Sequence, residues 1–139
     1  MEWDGTHFCD STGLHNPDHY STAKDMAVLL QYALKNDTFR EIAESPWHST
    51  PGTNLHPDGI TYYSTMFKNL SETSVTGGKI LGGKTGFTNA AGSCLASFAE
   101  IEGVEYILVT AGAMDGGTPN ITDAVTVYNR LGEAAQALK

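Results

Sequence analysis

The densest cluster of chemically useful side chains in this 139-residue chain is Lys84-Thr85-Gly86, set inside the glycine-rich stretch Gly77 to Gly92. An ammonium beside a hydroxyl suits an oxyanion: the first attracts its charge, the second donates a hydrogen bond. Two settings could supply that chemistry. Gly78, four residues, then Gly83-Lys84-Thr85 spell the G-x-x-x-x-G-K-[ST] of a phosphate-binding loop. Such a loop needs an apolar strand before it and a helix starting at the Lys-Thr, whose N–H groups face the phosphates. Asn69 to Thr76 is too polar for a central strand, and Gly86, Asn89 and Gly92 interrupt any helix in its first two turns. The second setting is a strand that presents Lys84 and Thr85 to a carboxylate in a cleft, and both flanks agree with it.

The elements that must hold this strand follow from residue pattern. Lys79 to Phe87 reads as one extended run and Ser93 to Glu100 as a second. Val104 to Ala111, rich in β-branched and aromatic residues, reads as a third. Glu102-Gly103 makes the last two an antiparallel hairpin. A helix begins at Ser21, capped by Ser21 or Thr22, with Asp25 in its first turn and Met26, Leu29, Leu30, Ala33 and Leu34 on one stripe. A short helix over Thr38 to Glu44 is expected to turn Phe39 and Ile42 inward, and Pro46 stops it. Residues 45 to 76 read as a long irregular connector with a short strand at Ile60 to Tyr63; a loop of that length is usually functional or mobile. After a loop holding Gly112, Gly116-Gly117 and Pro119, a final helix over Asn120 to Leu138 places Ile121, Val125, Tyr128, Leu131, Ala135 and Leu138 on one face.

Composition sets bounds. The length suits one domain, residues 1 to 139. The net charge of −8 disfavours nucleic acid and anionic membrane surfaces as partners. No run of 18 apolar residues is present to span a membrane, and Met1-Glu2-Trp3-Asp4 lacks the start of a signal peptide. His15 and His19 sit four apart, but Pro17 between them breaks the helix that would align them on a metal, so no metal is expected. Cys9 and Cys94 have no metal-like spacing; two free thiols are the default and one disulfide is an alternative.

Several blocks in order resemble one family. Thr6-His7-Phe8, Thr12-Gly13-Leu14, His19-Tyr20-Ser21-Thr22-Ala23 and Asp25-Met26-Ala27 are similar to the central segment of D-alanyl-D-alanine carboxypeptidases of the low-molecular-mass penicillin-binding type. Gly82 to Gly92 resembles that family's Lys-Thr-Gly strand and following turn, and Gly112-Ala113 matches the end of the last strand. The resemblance implies an α+β, penicillin-binding/β-lactamase-like transpeptidase fold in truncated form: three C-terminal antiparallel strands with helices packed on them. It also implies a serine peptidase that trims peptidoglycan stem peptides through an acyl-enzyme, outside the cytoplasm, with no cofactor.

The resemblance assigns roles. Lys84 raises the local positive potential, and Thr85 binds the terminal carboxylate of a D-Ala-D-Ala peptide. Gly86 completes the motif, and the backbone N–H of Phe87 is one oxyanion-hole donor. Thr88 joins Lys84 and Thr85 in substrate binding. The family's Ser-x-x-Lys nucleophile and Ser-x-Asn loop belong to a segment before the one matched here. The one local Ser-x-x-Lys, Ser21-Thr22-Ala23-Lys24, falls on a structural helix, so Ser21 reads as a helix cap rather than the nucleophile. No Ser-x-Asn or Tyr-x-Asn occurs, and no Arg follows Gly112-Ala113 before Arg130. The expectations are a chain inactive by itself, a family able to bind β-lactams, and a bare last-strand edge that recruits a second copy. The alternative is a non-catalytic module of the same fold that recognises peptide ends or assembles with a partner.

Overall fold

The computed structural model describes residues 5–114 and 117–139. Met1 to Asp4, Asp115 and Gly116 therefore lie outside the described residues. Four antiparallel strands form the main sheet in the order β3-β4-β5-β6: β3 Ser74–Val75, β4 Gly78–Thr88, β5 Gly92–Ile101 and β6 Val104–Ala113. The β5–β6 turn is Glu102-Gly103, both with positive φ (51° and 78°), as a two-residue hairpin turn requires. The three C-terminal strands expected from sequence are all present, and the sheet is mixed with helices as the resemblance implied.

Helices cover both faces. α1 (Ala23–Ala33) and α2 (Asp37–Glu44) lie on one, where Leu30, Leu34 and Phe98 form a small core with Ala43, Leu81, Ala96 and Ile107. The α1 cap is Thr22, whose hydroxyl accepts the Asp25 N–H at 3.0 Å; Asn36 caps α2 in the same way from Phe39. α3 (Thr65–Asn69) and α4 (Pro119–Ala137) cover the opposite face, where Met66, Ile80, Leu95, Ile101, Ile121 and Tyr128 are buried together. α4 approaches the chain at Thr76 so closely that a Cβ on Gly132 would stand 1.8 Å from the Thr76 carbonyl oxygen. There Asn129 accepts from both the amide and the hydroxyl of Thr76, at 2.8 and 3.0 Å.

Three expectations need correction. Phe39 and Ile42 do not face the core: Ile42 is 69% exposed, because α2 packs through Ala43 and Arg40 instead. The connector at 45–76 is structured. It holds the ribbon β1 (Trp47–Ser49) and β2 (Thr61–Tyr63), then α3 and β3. Leu138 is exposed beyond the end of α4, and the buried stripe of that helix runs instead through Ala124 and Gly132.

Arg40 ties α2 to the sheet. Its guanidinium donates to both carboxylate oxygens of Glu105 at 2.7 and 3.0 Å and lies 5.3 Å from the centre of the Phe98 ring. Those hydrogen bonds hold the Glu105 carboxyl below its ordinary value of 4.5. A depressed folded-state value contributes stability that is present above the ordinary glutamate range and is lost as pH falls through the lower folded-state value. Denaturant midpoints measured across the acid range should therefore show a loss below about pH 4.5 that is smaller in Glu105→Gln. Burial pushes the Tyr128 hydroxyl up to about 12, against the opposing pull of its 3.1 Å contact with the buried Ser97 Oγ. Tyr128→Phe leaves Ser97 with only a 3.5 Å contact to the Leu108 carbonyl, so urea unfolding should show a loss of about 1 kcal/mol.

Candidate functional site

Backbone alternation decides what β4 offers. Near its start the Ile80 N–H turns away from β5 and donates to the Thr73 carbonyl at 2.8 Å. A bulge between Ile80 and Gly82 inserts one residue. Beyond it the amides that face away from β5 therefore fall on Gly83, Thr85 and Phe87. β3 pairs only with Gly78 and Lys79. Among the described residues, then, β4 from Leu81 onward has an open edge with the Thr85 and Phe87 N–H groups pointing out of it.

Side chains alternate as well. Lys84 pairs with Ala96 and shares the α1–α2 face; Thr85 pairs with Leu95 and shares the α3–α4 face. Neighbouring residues on a strand cannot share a face, yet both line one cleft of about 670 Å³. They do so because the cleft lies off the edge of β4, not over either face. α2 forms one wall with Phe39 and Ile42, α3 another with Met66, and the β1–β2 ribbon a third with Trp47 and Tyr63.

Two glycines set the width of that cleft. A Cβ on Gly82 would stand 2.4 Å from the Ala43 carbonyl oxygen of α2, and one on Gly83 would stand 2.9 Å from the Met66 sulfur of α3. Both walls thus close on β4 just before Lys84. The Lys84 ammonium is exposed and donates to the Thr85 carbonyl oxygen. Phe87 is 68% exposed. Thr88 spends its hydroxyl on the turn, accepting the Ala91 N–H at 3.0 Å, with Gly92 at φ 68° completing a three-residue loop.

The phosphate-loop reading fails on this geometry. β4 stays extended from Gly78 to Thr88, and no helix begins at Lys84. Ser21 precedes the Thr22 cap of α1, is not among the residues that line the cleft, and meets Thr6 Oγ1 at 2.9 Å. Among the described residues no group of three His, Cys, Asp or Glu side chains could hold a metal. His19 instead accepts the Cys9 N–H at 3.3 Å, and Cys9 and Cys94 are both free. Sequence reading missed the aromatic wall. Its signal was the pairing of Trp47-His48 with Tyr62-Tyr63 in an otherwise polar connector, which the structure brings into register as Trp47 opposite Tyr63.

A family model described as D-alanyl-D-alanine carboxypeptidase matches residues 2–115. Among solved structures, a point mutant of a Streptomyces DD-transpeptidase aligns with a TM-score of 0.72 at 24% identity, covering 89% of this chain and 46% of that one. A D-alanyl-D-alanine carboxypeptidase from Mycobacterium tuberculosis aligns with a TM-score of 0.69 at 24% identity, covering 89% and 46%. At that identity the likeness shows the fold. The chain spans about half the length of the solved structures it matches. No curated protein sequence matches it.

Gly82→Val should force α2 away from β4, since the new side chain meets backbone rather than a movable side chain. Chemical denaturation is expected to report a loss of roughly 1–3 kcal/mol, with faster proteolysis between α2 and β1.

Proposed function

The chain belongs to the D-alanyl-D-alanine carboxypeptidase family, and from that premise we propose that it is the Lys-Thr-Gly half of a serine DD-peptidase catalytic domain, residues 1–139 forming one part of it. The parent enzyme cuts or transfers the D-Ala-D-Ala end of a peptidoglycan stem peptide through an acyl-enzyme, binds β-lactams at the same place, and works outside the cytoplasm. Among the described residues no helix is long and apolar enough to cross a membrane.

One observation carries this reading: β4 leaves the Thr85 and Phe87 amides on its open edge, Thr85 at the cleft that Lys84 also lines and Phe87 two residues beyond it. A peptide laid there in extended form is bound as an added strand, through backbone hydrogen bonds. Its terminal carboxylate meets Lys84 and the Thr85 hydroxyl, a charge-assisted contact. The carbonyl one residue earlier comes to the Phe87 N–H, where an oxyanion would be stabilised as it forms. The peptide therefore runs antiparallel to β4, with its C-terminus toward Gly83. Gly86 has open space where a Cβ would be, which leaves the backbone approachable between the two donors. Lys84 and Thr85 bind and orient, and the nucleophilic serine comes from the segment that bears Ser-x-x-Lys in the family.

A second reading has its own support: of the serines that line the cleft, neither Ser45 nor Ser64 begins a Ser-x-x-Lys, and Ser45 Oγ is already held by the Glu41 carbonyl at 2.6 Å. On that reading the chain recognises peptide ends, or assembles with a partner through the unpaired edge of β6, without turnover. A labelled penicillin separates the two. Covalent attachment to the chain alone would show a nucleophile within it and overturn both the inactive-alone reading and the binding-only one. Acetyl-D-Ala-D-Ala titrated against the chain should bind, and Lys84→Ala should weaken it roughly ten- to hundredfold. Binding that ignores both Lys84→Ala and Thr85→Val would refute the carboxylate site.

A further inference from the structure

We propose that Arg40, locked by Glu105, is a positioning residue: it clamps β4 at Gly82 and so fixes where the Thr85 and Phe87 amides leave the strand. The inference rests on the reading of Lys84 and Thr85 as a carboxylate anchor, and it adds to that anchor two residues that do not touch the ligand.

Gly82 is the point where the strand is held. It is the first residue after the bulge, and it pairs with Phe98. A Cβ there would stand 2.4 Å from the Ala43 carbonyl oxygen and 2.9 Å from the tip of the Phe98 ring. One neighbour is the backbone of α2, and the other is a fully buried side chain of β5. Leu81, the inserted residue, packs beside Leu30, Leu34 and Phe98. Lys84 follows two residues after Gly82. Gly82, Gly83 and Gly86 give this part of β4 little side-chain pattern with which to set its own register, so the register depends on what grips Gly82.

Arg40 governs both grips. Its guanidinium lies 5.3 Å from the centre of the Phe98 ring. It donates to both Glu105 carboxylate oxygens at 2.7 and 3.0 Å, to Glu44 at 3.3 Å and to the Leu34 carbonyl at 3.3 Å. These partners belong to β6, to α2 and to the end of α1. A planar fork held by all of them has one orientation. The ring below it and the helix that carries it are thereby set relative to each other. α2 has little else to hold it. It buries no side chain fully, and Phe39 and Ile42 are 40% and 69% exposed, so hydrophobic burial does not decide where Ala43 stands. The ion pair is about one-third exposed, which keeps its Coulombic share small. What it supplies is direction.

The test uses the full chain, calorimetry with acetyl-D-Ala-D-Ala and backbone amide exchange followed by nuclear magnetic resonance. Glu105→Gln, close in shape to the native side chain, and Arg40→Lys, which keeps the charge and loses the fork, should each weaken the peptide about tenfold. Both should also speed exchange at the Lys84 and Gly86 amides, which face β5, about tenfold relative to the rest of the sheet. Asn129→Ala is the control for lost stability alone. It removes the contacts to Thr76 beside the start of β4, on the opposite face, and it should change neither the affinity nor the relative exchange. Arg40→Lys behaving as wild type would overturn the role of the fork. Unchanged affinity and exchange in both variants, or the same changes in Asn129→Ala, would overturn the proposal as a whole. If the wild-type chain does not bind the peptide, the carboxylate anchor falls, and the exchange rates still decide whether Arg40 positions the strand.

Discussion

The site depends on how near two helices can come to one strand. Gly82 and Gly83 lie on opposite faces of β4, and each removes the side chain that would hold a helix off. α2 reaches the strand on one face through the Ala43 carbonyl, and α3 reaches it on the other through Met66. Gly82 thus lets the α2 backbone meet the strand directly, and Gly83 lets the Met66 side chain of α3 lie against the strand backbone. Their effect is local to the residues before Lys84, which is why a cleft flanked on both sides forms off the strand's edge there. In a phosphate-binding loop the same glycines would serve to turn the chain. Here the chain does not turn at all, and they serve close approach.

Other contacts keep those two helices from drifting. α2 is only eight residues long and buries no side chain fully, so its own hydrophobic contribution is small. The forked Arg40–Glu105 contact spans from α2 to the start of β6, and the guanidinium also lies over Phe98 and donates to the Leu34 carbonyl at 3.3 Å. One side chain thereby joins α1, α2, β5 and β6. Both partners are about a third exposed, and solvent screening limits the worth of such a pair. Its value here is geometric: the planar fork fixes an orientation that a lysine could not. On the opposite face, α4 is located by specific polar contacts as well as by burial. The Asn120 amide donates to the Cys94 carbonyl at 2.8 Å, and Asn129 holds Thr76.

A bound peptide would use what this arrangement leaves unsatisfied. An exposed strand edge is usually a liability, because its free N–H and C=O groups invite pairing. Along β4 it is flanked by α2, α3 and the ribbon, so that only an extended chain of limited width can reach it. The bulge after Ile80 has a further consequence. Without the inserted residue, the outward amides would fall on Lys84 and Gly86, and neither the Thr85 nor the Phe87 N–H would point out of the open edge.

Much of this was legible in the residue order. The three long strands, the hairpin at Glu102-Gly103, the rejection of the phosphate loop and the stop of α2 at Pro46 all follow from local chemistry, because turn residues and β-branched runs act over a few neighbours. Blocks around Lys84-Thr85-Gly86 carried the family resemblance for the same reason. Other features depend on contacts between residues far apart in the chain. The sequence could not show that Ile42 faces a cleft rather than the core, since an amphipathic stripe does not say what its apolar side meets. Nor could it show that Trp47 lies across from Tyr63, or that a bulge two residues before Gly83 re-aims the amides of β4. Residue types determined which chemistry this chain can offer an anion. Tertiary packing alone decided that Lys84 and Thr85, on opposite faces of one strand, meet at its edge, because only the approach of α2 and α3 makes an edge into a site.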